Sequence, residues 1–353
     1  MTASRRTYET MNGLRGVAAL AVTIFHMFSF FWTQTAASGY LAVDFFFVLS
    51  GFVVAGAYGT KLKSGSLTTR DFAIKRLIRF YPLYLVGLGL GVVQAVAGNL
   101  LHLGNPLPLD AIGWALLCAL FFLPELAPDS FYITPLNGPA WSLLFEYWVN
   151  VAWAPLSKRA PLWIYLILLI AAAAGFVWGA VLKGDAGVGS FWVTVPGGIA
   201  RTIFSFTAGL LIYRCRGGAH GRRVGWSVAL MAGLLGLLFL KPTADFRLLY
   251  DLIFVFALSP LIVFLASTWE PPAAFRGVFA LLGQLSFPLY AIHFPLIAAG
   301  IILTRKLHIP PVVGGVLVLV AAIAAAFVMD KVDVRLRRWI AGRLLAVSPA
   351  THA

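Results

Sequence analysis

An arginine and a histidine lie eleven residues apart in the first hydrophobic stretch of the chain, NGLRGVAALAVTIFHMFSFFW. In an α-helix that spacing makes about three turns, so Arg15 and His26 share one face, about 16 Å apart along the axis. A charge at the centre of a membrane costs roughly 2.5–3.5 kcal/mol even on insertion scales, and such residues are usually functional. A guanidinium binds anions, and an imidazole exchanges protons near neutral pH. The pair predicts a polar cavity or a partner that compensates both groups.

Further ionisable side chains lie inside other apolar segments. Asp44 stands in GYLAVDFFFVLSGF, Glu146 in AWSLLFEYW and His293 in LLGQLSFPLYAIHFPL, while Arg76 and Arg79 lie three residues apart in AIKRLIRFYPLY. Each has a simpler explanation: a histidine held by a helix carbonyl or a nearby tyrosine, an aspartate paired with a cation, a glutamate held by backbone donors, or arginines anchored to lipid headgroups. We favour a common site, because all of the simpler explanations would have to hold at once.

The composition is that of a membrane protein. Hydrophobic residues make up 60% of the 353 residues and charged residues 11%, and the mean hydropathy is +0.88. Soluble domains carry about 25% charged residues, so this chain has too little charge to cover a globule in water. Cys118 and Cys215 lack the spacing of a metal or redox site. They are interpreted as small buried hydrophobic residues, and no metal is expected.

The net charge of +14 comes from clusters between the apolar segments. Lys and Arg concentrate at residues 5–6, 61–79, 158–159, 214–223 and 331–343. Basic loops of this kind face the cytoplasm in membrane proteins. The charge therefore indicates membrane orientation and argues against a nucleic-acid partner.

Eleven apolar segments predict the spanning helices. They lie near residues 12–32, 40–58, 80–101, 110–124, 141–156, 161–182, 196–213, 224–240, 248–267, 277–303 and 311–329. If all of them crossed from a cytoplasmic N-terminus, the clusters at 158–159 and 214–223 would face outward, against the charge rule. If the fourth segment is re-entrant or flat, every strong basic cluster faces inward. The sequence thus predicts an all-α polytopic bundle of about ten crossing helices with both termini cytoplasmic.

This topology assigns a depth to each ionisable residue. It predicts Arg15, Arg76 and Arg79 in the cytoplasmic half, and it predicts His26, Asp44, Glu146 and His293 together in the outer half. Short loops and the lack of an internal repeat indicate one membrane domain at residues 12–343. A cytoplasmic tail is predicted at 1–11 and a disordered tail at 344–353.

Five of these segments resemble motifs of the integral-membrane acyltransferase family 3, which includes bacterial O-antigen, exopolysaccharide and Nod-factor acylases. They are NGLRGVAALAVTIFH, GYLAVDFFFVLSGF, RLIRFYPLY, WSLLFE and LSFPLYAIHFPL, in the family's order. The chain departs from the family at Tyr147, where an acidic residue is frequent, and at Asn150, where a tyrosine is common. These departures concern the acceptor more than the type of reaction.

The resemblance implies a multi-pass protein of the inner (plasma) membrane that transfers an acyl group, most often acetyl, from cytoplasmic acyl-CoA to a sugar or a lipid-linked saccharide. Acetyl-CoA is then a co-substrate, and no permanently bound cofactor is implied. Carried over residue by residue, the roles are acyl-CoA binding for Arg15, Arg76 and Arg79, catalysis for His26, Glu146 and Asp44, and acceptor contacts for His293, Trp141 and Tyr290.

In this scheme His26 is the general base that activates a sugar hydroxyl, and Glu146 or Asp44 orients it or binds the acceptor. Acetyl, succinyl and longer acyl groups fit the motifs equally, as do direct transfer and an acyl-enzyme. A transporter or flippase for a glycosylated or anionic lipid is the alternative, but it predicts paired broken helices in inverted halves. A membrane sensor or scaffold is a third interpretation, and it does not require Arg15 and His26 on one helix face.

Overall fold

The computed structural model describes residues 8–31, 35–102, 106–127, 130–216 and 223–344. Residues 1–7 of the predicted first tail and residues 345–353 of the predicted second tail lie outside this part. The helices are α1 (Glu9–His26), α2 (Phe28–Phe31), α3 (Ala42–Lys63), α4 (Thr69–Leu100), α5 (Leu109–Leu120), α6 (Ala140–Arg159), α7 (Leu162–Lys183), α8 (Val195–Arg216), α9 (Ser227–Phe239), α10 (Ala244–Ile253), α11 (Ser259–Ala266), α12 (Arg276–Lys306) and α13 (Pro311–Leu344).

Short elements complete the described chain. A π-helical turn at Phe254–Leu258 joins α10 to α11, and 3₁₀ turns occupy Gly39–Leu41, Trp192–Thr194 and Ala273–Phe275. The two-residue strands β1 (Arg223–Val224) and β2 (Trp269–Glu270) pair in parallel, with Arg223 opposite Trp269 and Val224 opposite Glu270. The architecture is the all-α bundle expected from the sequence. Of the two cysteines expected to be buried, Cys118 is buried, whereas Cys215, in the last turn of α8, is exposed.

Seven segments of the described chain are long and apolar enough to cross a membrane. They are Gly39–Lys63, Thr69–Leu100, Leu162–Lys183, Trp192–Arg216, Ala244–Ala266, Ala273–Lys306 and Pro311–Arg343. The chain is therefore a multi-pass membrane protein, while the total of ten crossings and the side of the termini stay predictions. With 12 residues, α5 is about 18 Å long, short of the roughly 30 Å hydrocarbon core. That length agrees with the interpretation of this segment as re-entrant or flat.

Both ends of the bundle differ from the predicted boundaries. Helix α1 begins at Glu9, inside the predicted tail, because an acidic residue in the first turn stabilises a helix start. It ends at His26 rather than near residue 32, because the N–H of Met27 bonds to the Ile24 carbonyl and closes the last turn. His26 is thus the final residue of α1. At the other end, α13 continues to Leu344, well past the predicted limit of 329.

Two pairs of parallel helices form the centre of the bundle, α1 with α12 and α3 with α8. Arg15 bonds to Ser286 and His26 to His293, so α1 and α12 run in the same direction. Their close approach depends on Gly16, where a Cβ atom would lie 2.5 Å from the carbonyl oxygen of Leu282. This glycine sets the distance between the two helices that carry the polar residues.

We expect Gly16→Ala to lower the thermal stability of the detergent-purified protein, because its methyl group meets the α12 backbone and overpacking costs about 1–3 kcal/mol. The matched control is Gly89→Ala in α4, where no atom of the described residues lies within 4 Å of the added methyl group. Ala favours a helix over Gly by about 1 kcal/mol, so the control keeps or raises the melting temperature. Equal melting temperatures for the two variants would show that Gly16 does not set the helix spacing.

Candidate active site

A cavity of about 130 Å³ lies between α1, α3, α4, α6 and α12. A cavity needs about 10–15 Å³ to hold one water molecule, so this one has room for part of a polar ligand. Its polar lining consists of Arg15, Ser50, Arg76, Arg79, Ser142, Glu146, Ser286 and Tyr290, and its apolar lining includes Phe46, Phe47, Phe80 and Phe287. Five of the residues singled out from the sequence therefore share one cavity: Arg15, Arg76, Arg79, Glu146 and Tyr290.

Three guanidinium groups and one carboxylate line this cavity. Glu146 Oε1 accepts a hydrogen bond from Ser50 Oγ at 2.5 Å and an ion-pair contact from Arg76 Nη2 at 3.3 Å. Arg15 Nη2 donates to Ser286 Oγ at 3.0 Å. Three positive charges less one negative charge leave an excess of two in a site where the side chains of Arg76 and Glu146 are only 10% and 14% exposed. Such an excess favours binding of an anion.

Aromatic rings and an unused donor refine this picture. The guanidinium carbon of Arg76 lies 4.6 Å from the centroid of Phe80, and that of Arg79 lies 4.9 Å from the centroid of Phe287. Arg76 Nε is buried and has no hydrogen-bond partner within the described residues. A buried charged donor without a partner is costly, and a bound anion would satisfy it.

Helix α12 connects the cavity to the histidines. Ser286, Tyr290 and His293 follow one another at spacings of four and three residues, which places them on one helix face. Tyr290 lines the cavity, and its ring centroid lies 5.7 Å from that of His293. The histidines therefore lie about one helical turn beyond the end of the cavity.

A pair of hydroxyl groups marks this end of the cavity. Tyr290 Oη and Ser142 Oγ lie 2.5 Å apart, and both are within hydrogen-bond distance of the Pro139 carbonyl oxygen, at 3.2 and 3.0 Å. Tyr290 was expected on the acceptor side of the site, and the structure places it at the boundary between the arginine cavity and the histidines.

His26 and His293 contact each other directly, with His293 Nε2 3.1 Å from His26 Nδ1. His293 is fully buried, and its Nδ1 lies 2.8 Å from the Tyr290 carbonyl oxygen and 3.2 Å from that of Leu289. His26 also packs edge-on against the ring of Phe294. The two histidines, far apart in sequence, form one unit.

The chemistry of these partners assigns the protons when both rings are neutral. A carbonyl oxygen only accepts, so His293 Nδ1 carries a hydrogen and His293 Nε2 carries a lone pair. His26 Nδ1 must then donate to His293, which leaves the lone pair of His26 on Nε2. A free lone pair on Nε2 can accept a proton, as a general base does. A carboxylate was expected to impose this tautomer, whereas in the structure a second histidine occupies that position.

Asn137 supports the helix that carries His293, and the sequence analysis did not single it out. Pro295 has no N–H, so the carbonyl of Ala291, four residues earlier, lacks its helical donor. Asn137 Nδ2 bonds to this carbonyl at 3.0 Å from the turn before α6. The signal in the sequence is Pro295 itself. A proline inside a helix leaves one carbonyl without its helical donor, and a buried carbonyl of this kind is bonded to another donor.

Asp44 is paired with a residue that the sequence analysis also missed, Arg201 of α8. Arg201 Nε donates to Asp44 Oδ1 at 2.7 Å, its Nη2 contacts Asp44 Oδ2, and both side chains are at most 1% exposed. Arg201 also donates to the Tyr40 carbonyl at 3.1 Å. Trp141 packs beside this pair, its ring 5.9 Å from the guanidinium carbon of Arg201. The signal in the sequence was Arg201 itself, a single charged residue inside the predicted apolar segment 196–213.

The structure does not bring His26, Asp44, Glu146 and His293 into one contact group, and their common depth in the membrane stays a prediction. Glu146 joins the arginines, Asp44 joins Arg201, and only the two histidines contact each other. Depth along a helix gives the height of a side chain but not the direction in which it points. A buried carboxylate is paired with a nearby cation because an isolated charge is too costly.

The sequence of this chain is similar to a known family and to several known proteins. A family model described as an acyltransferase domain matches residues 8–331 of the chain. Protein 2 in the picA locus of Rhizobium radiobacter is 41% identical over 188 residues, which are 47% of this chain and 94% of that protein.

Two further relatives match over shorter regions. The peptidoglycan O-acetyltransferase OatA of Listeria monocytogenes is 34% identical over 94 residues, which are 26% of this chain and 14% of that protein. The exopolysaccharide production protein ExoZ of Rhizobium meliloti is 32% identical over 140 residues, which are 38% of this chain and 41% of that protein. Each of these two matches covers less than half of this chain and less than half of the relative. No solved structure matches the chain.

Proposed function

The chain belongs to this membrane acyltransferase family, and from that membership we propose that it is an O-acyltransferase that moves an acyl group, acetyl in the first instance, from cytoplasmic acyl-CoA to a hydroxyl of a carbohydrate or glycoconjugate. The observation that carries the proposal is a cationic cavity with His26 of α1 beside it, held as a base by His293, which lies one helical turn beyond the cavity along α12. Coenzyme A supplies phosphates for the arginines, and a sugar hydroxyl supplies the proton for the histidine.

In the proposed reaction, the acceptor oxygen attacks the carbonyl carbon of the thioester while His26 Nε2 takes the hydroxyl proton. The new C–O bond forms, the C–S bond breaks, and the sulfur of the departing coenzyme A receives the proton from His26. His293 acts as a positioning residue, since it holds His26 in the productive tautomer and shares the positive charge of its imidazolium.

Arg15, Arg76 and Arg79 hold the phosphates of the donor, and Glu146 orients Arg76. The distance of about 16 Å between Arg15 and His26 along α1 is then covered by the pantetheine arm. A cytoplasmic donor requires the arginine end of the bundle to face the cytoplasm, as the basic loops predict.

The acceptor class rests on the relatives. One of them is named for O-acetylation of peptidoglycan and another for exopolysaccharide production, so we propose a saccharide or lipid-linked saccharide acceptor and a location in the inner (plasma) membrane. The test uses protein in lipid nanodiscs with labelled acetyl-CoA and candidate glycans. Transfer of label with stoichiometric release of coenzyme A supports the function, and a transporter would give neither.

We expect Arg15→Gln to raise the KM for acetyl-CoA by about 10- to 100-fold with little change in kcat. A hydrogen bond to a charged group contributes about 1.5–3 kcal/mol, and loss of uniform binding appears in KM. Glutamine can keep the contact with Ser286 while the charge is removed. The control is Arg305→Gln, at the exposed end of α12. An unchanged KM for Arg15→Gln would remove Arg15 from the donor site.

A further inference from the structure

The end of α13 brings one more arginine close to Phe287, a residue that lines the cavity. This helix has 34 residues and is about 51 Å long, so it extends well past a hydrocarbon core of roughly 30 Å. Most basic residues of its last part are exposed, among them Lys331, Arg335 and Arg338. Arg337 differs, because only 22% of its side chain is exposed. Its guanidinium is turned toward the bundle.

An aspartate holds this guanidinium in place. Arg337 Nε donates to Asp333 Oδ1 at 2.7 Å, its Nη2 contacts Asp333 Oδ2, and the Asp333 side chain is 1% exposed. A two-point contact of this kind fixes the plane of a guanidinium. The family match ends at residue 331, so both Arg337 and Asp333 lie outside the shared region.

Arg337 lies near the cavity because its guanidinium is close to the ring of Phe287. The guanidinium carbon of Arg337 lies 5.8 Å from the centroid of Phe287, and that of Arg79 lies 4.9 Å from the same centroid. Phe287 itself lines the cavity. Arg337 is close enough to Arg79 and Arg15 for their charges to repel it, and the nearby carboxylate of Asp330 offsets part of this repulsion.

Four guanidinium groups thus stand close together: Arg15, Arg76, Arg79 and Arg337. The carboxylates of Glu146, Asp330 and Asp333 give three negative charges against four positive ones. Arginines that repel one another in a partly dry site are stabilised by a ligand with more than one anionic group. Three of them line the cavity and the fourth lies near Phe287 of the cavity lining, which suits anionic groups at two separate positions.

We propose that Arg337, held by Asp333, is a specificity-determining residue that binds a phosphate of the nucleotide end of the donor. The inference rests on the proposed function, because it takes acyl-CoA as the donor. Either the ribose 3′-phosphate or the diphosphate can supply this group, and so can the headgroup of an anionic lipid. The residue makes the enzyme prefer coenzyme A thioesters over thioesters that lack the nucleotide.

The test compares Arg337→Gln with Arg338→Gln, its exposed neighbour on the same helix, in nanodiscs of phosphatidylcholine alone and in nanodiscs that also contain phosphatidylglycerol. We expect Arg337→Gln to raise the KM for acetyl-CoA about tenfold, which corresponds to one charge-assisted hydrogen bond, and to leave kcat unchanged. The kcat/KM for S-acetylpantetheine, which has no phosphate, stays equal to that of the wild type. Acetyl-dephospho-CoA, which lacks only the 3′-phosphate, identifies the group that Arg337 binds.

Three outcomes would overturn the inference: a KM for acetyl-CoA equal to that of Arg338→Gln, an equal loss with S-acetylpantetheine, or an effect that occurs only with anionic lipid in the nanodiscs. Arg337→Lys keeps the charge but not the two-point contact, and it provides a second variant if Arg337→Gln does not fold. Its expected KM for acetyl-CoA lies between the wild-type value and the tenfold higher value expected for Arg337→Gln. A wild type that releases no coenzyme A from acetyl-CoA would instead refute the proposed function, and this inference with it.

Discussion

Replacing His26 with glutamine is expected to lower kcat for acyl transfer by about 10²- to 10⁴-fold, the usual contribution of a general base. Glutamine has a similar reach and can still hydrogen-bond to His293, but it cannot take up a proton. The KM for acetyl-CoA should stay within about twofold of wild type, because loss of an interaction made only in the transition state appears in kcat. Steady-state assays with labelled acetyl-CoA and a competent acceptor measure both values.

The partner histidine provides a graded comparison. His293→Phe removes the acceptor for His26 Nδ1 and should lower kcat, whereas His293→Gln offers an amide oxygen in its place and should restore part of the rate. The control is His308→Gln at the exposed turn between α12 and α13. Wild-type kcat and KM in His26→Gln would exclude His26 as the base, and equal rates in the two His293 variants would exclude a role in positioning.

Breaking the Asp44–Arg201 pair is expected to destabilise the protein by about 3–5 kcal/mol, the cost of leaving a buried charge without its partner. Asp44→Asn and Arg201→Met should each lower the melting temperature sharply. The double variant should lose less stability than the sum of the two, since no isolated charge remains. Thermal unfolding of the purified protein, followed by tryptophan fluorescence, measures these differences.

The same variants decide between two roles for Asp44. If it is structural, the folded fraction of Asp44→Asn keeps a kcat near that of wild type, and a catalytic Asp44 predicts a loss of about 10²-fold or more. The control is Asp185→Asn, which breaks a partly exposed pair with Lys183 and should cost less than about 1 kcal/mol. A stable but inactive Asp44→Asn protein would return Asp44 to the catalytic group.

The helices could be predicted from the sequence because lipid leaves the backbone few alternatives. Each of the eleven apolar segments contains a helix in the structure, as expected where every peptide group must find an internal partner. The ends could not be predicted in the same way. Helix α13 continues past residue 329 to Leu344, and in this extension Arg337 lies near the Phe287 ring of α12, a contact that hydropathy does not report.

The members of the site could be predicted, but not their partners. An ionisable side chain inside an apolar segment costs free energy and therefore stands out in the sequence. This signal singled out Arg15, His26, Arg76 and Glu146. The Arg76–Glu146 pair joins residues 70 positions apart, and the Arg201–Asp44 pair joins residues 157 positions apart. Such pairings follow from how the helices are rotated against one another. A charge pattern along one chain does not contain that rotation.

The parallel packing of α1 and α12 has a consequence for biosynthesis. Arg15 and Ser286 are 271 residues apart, and His26 and His293 are 267 residues apart. At a synthesis rate of 5–20 residues per second, α1 emerges roughly 15–50 s before α12. During that interval its guanidinium and its imidazole have neither of these partners. The first helix is made early, but its arginine and its histidine reach these partners only after nearly the whole chain has entered the membrane.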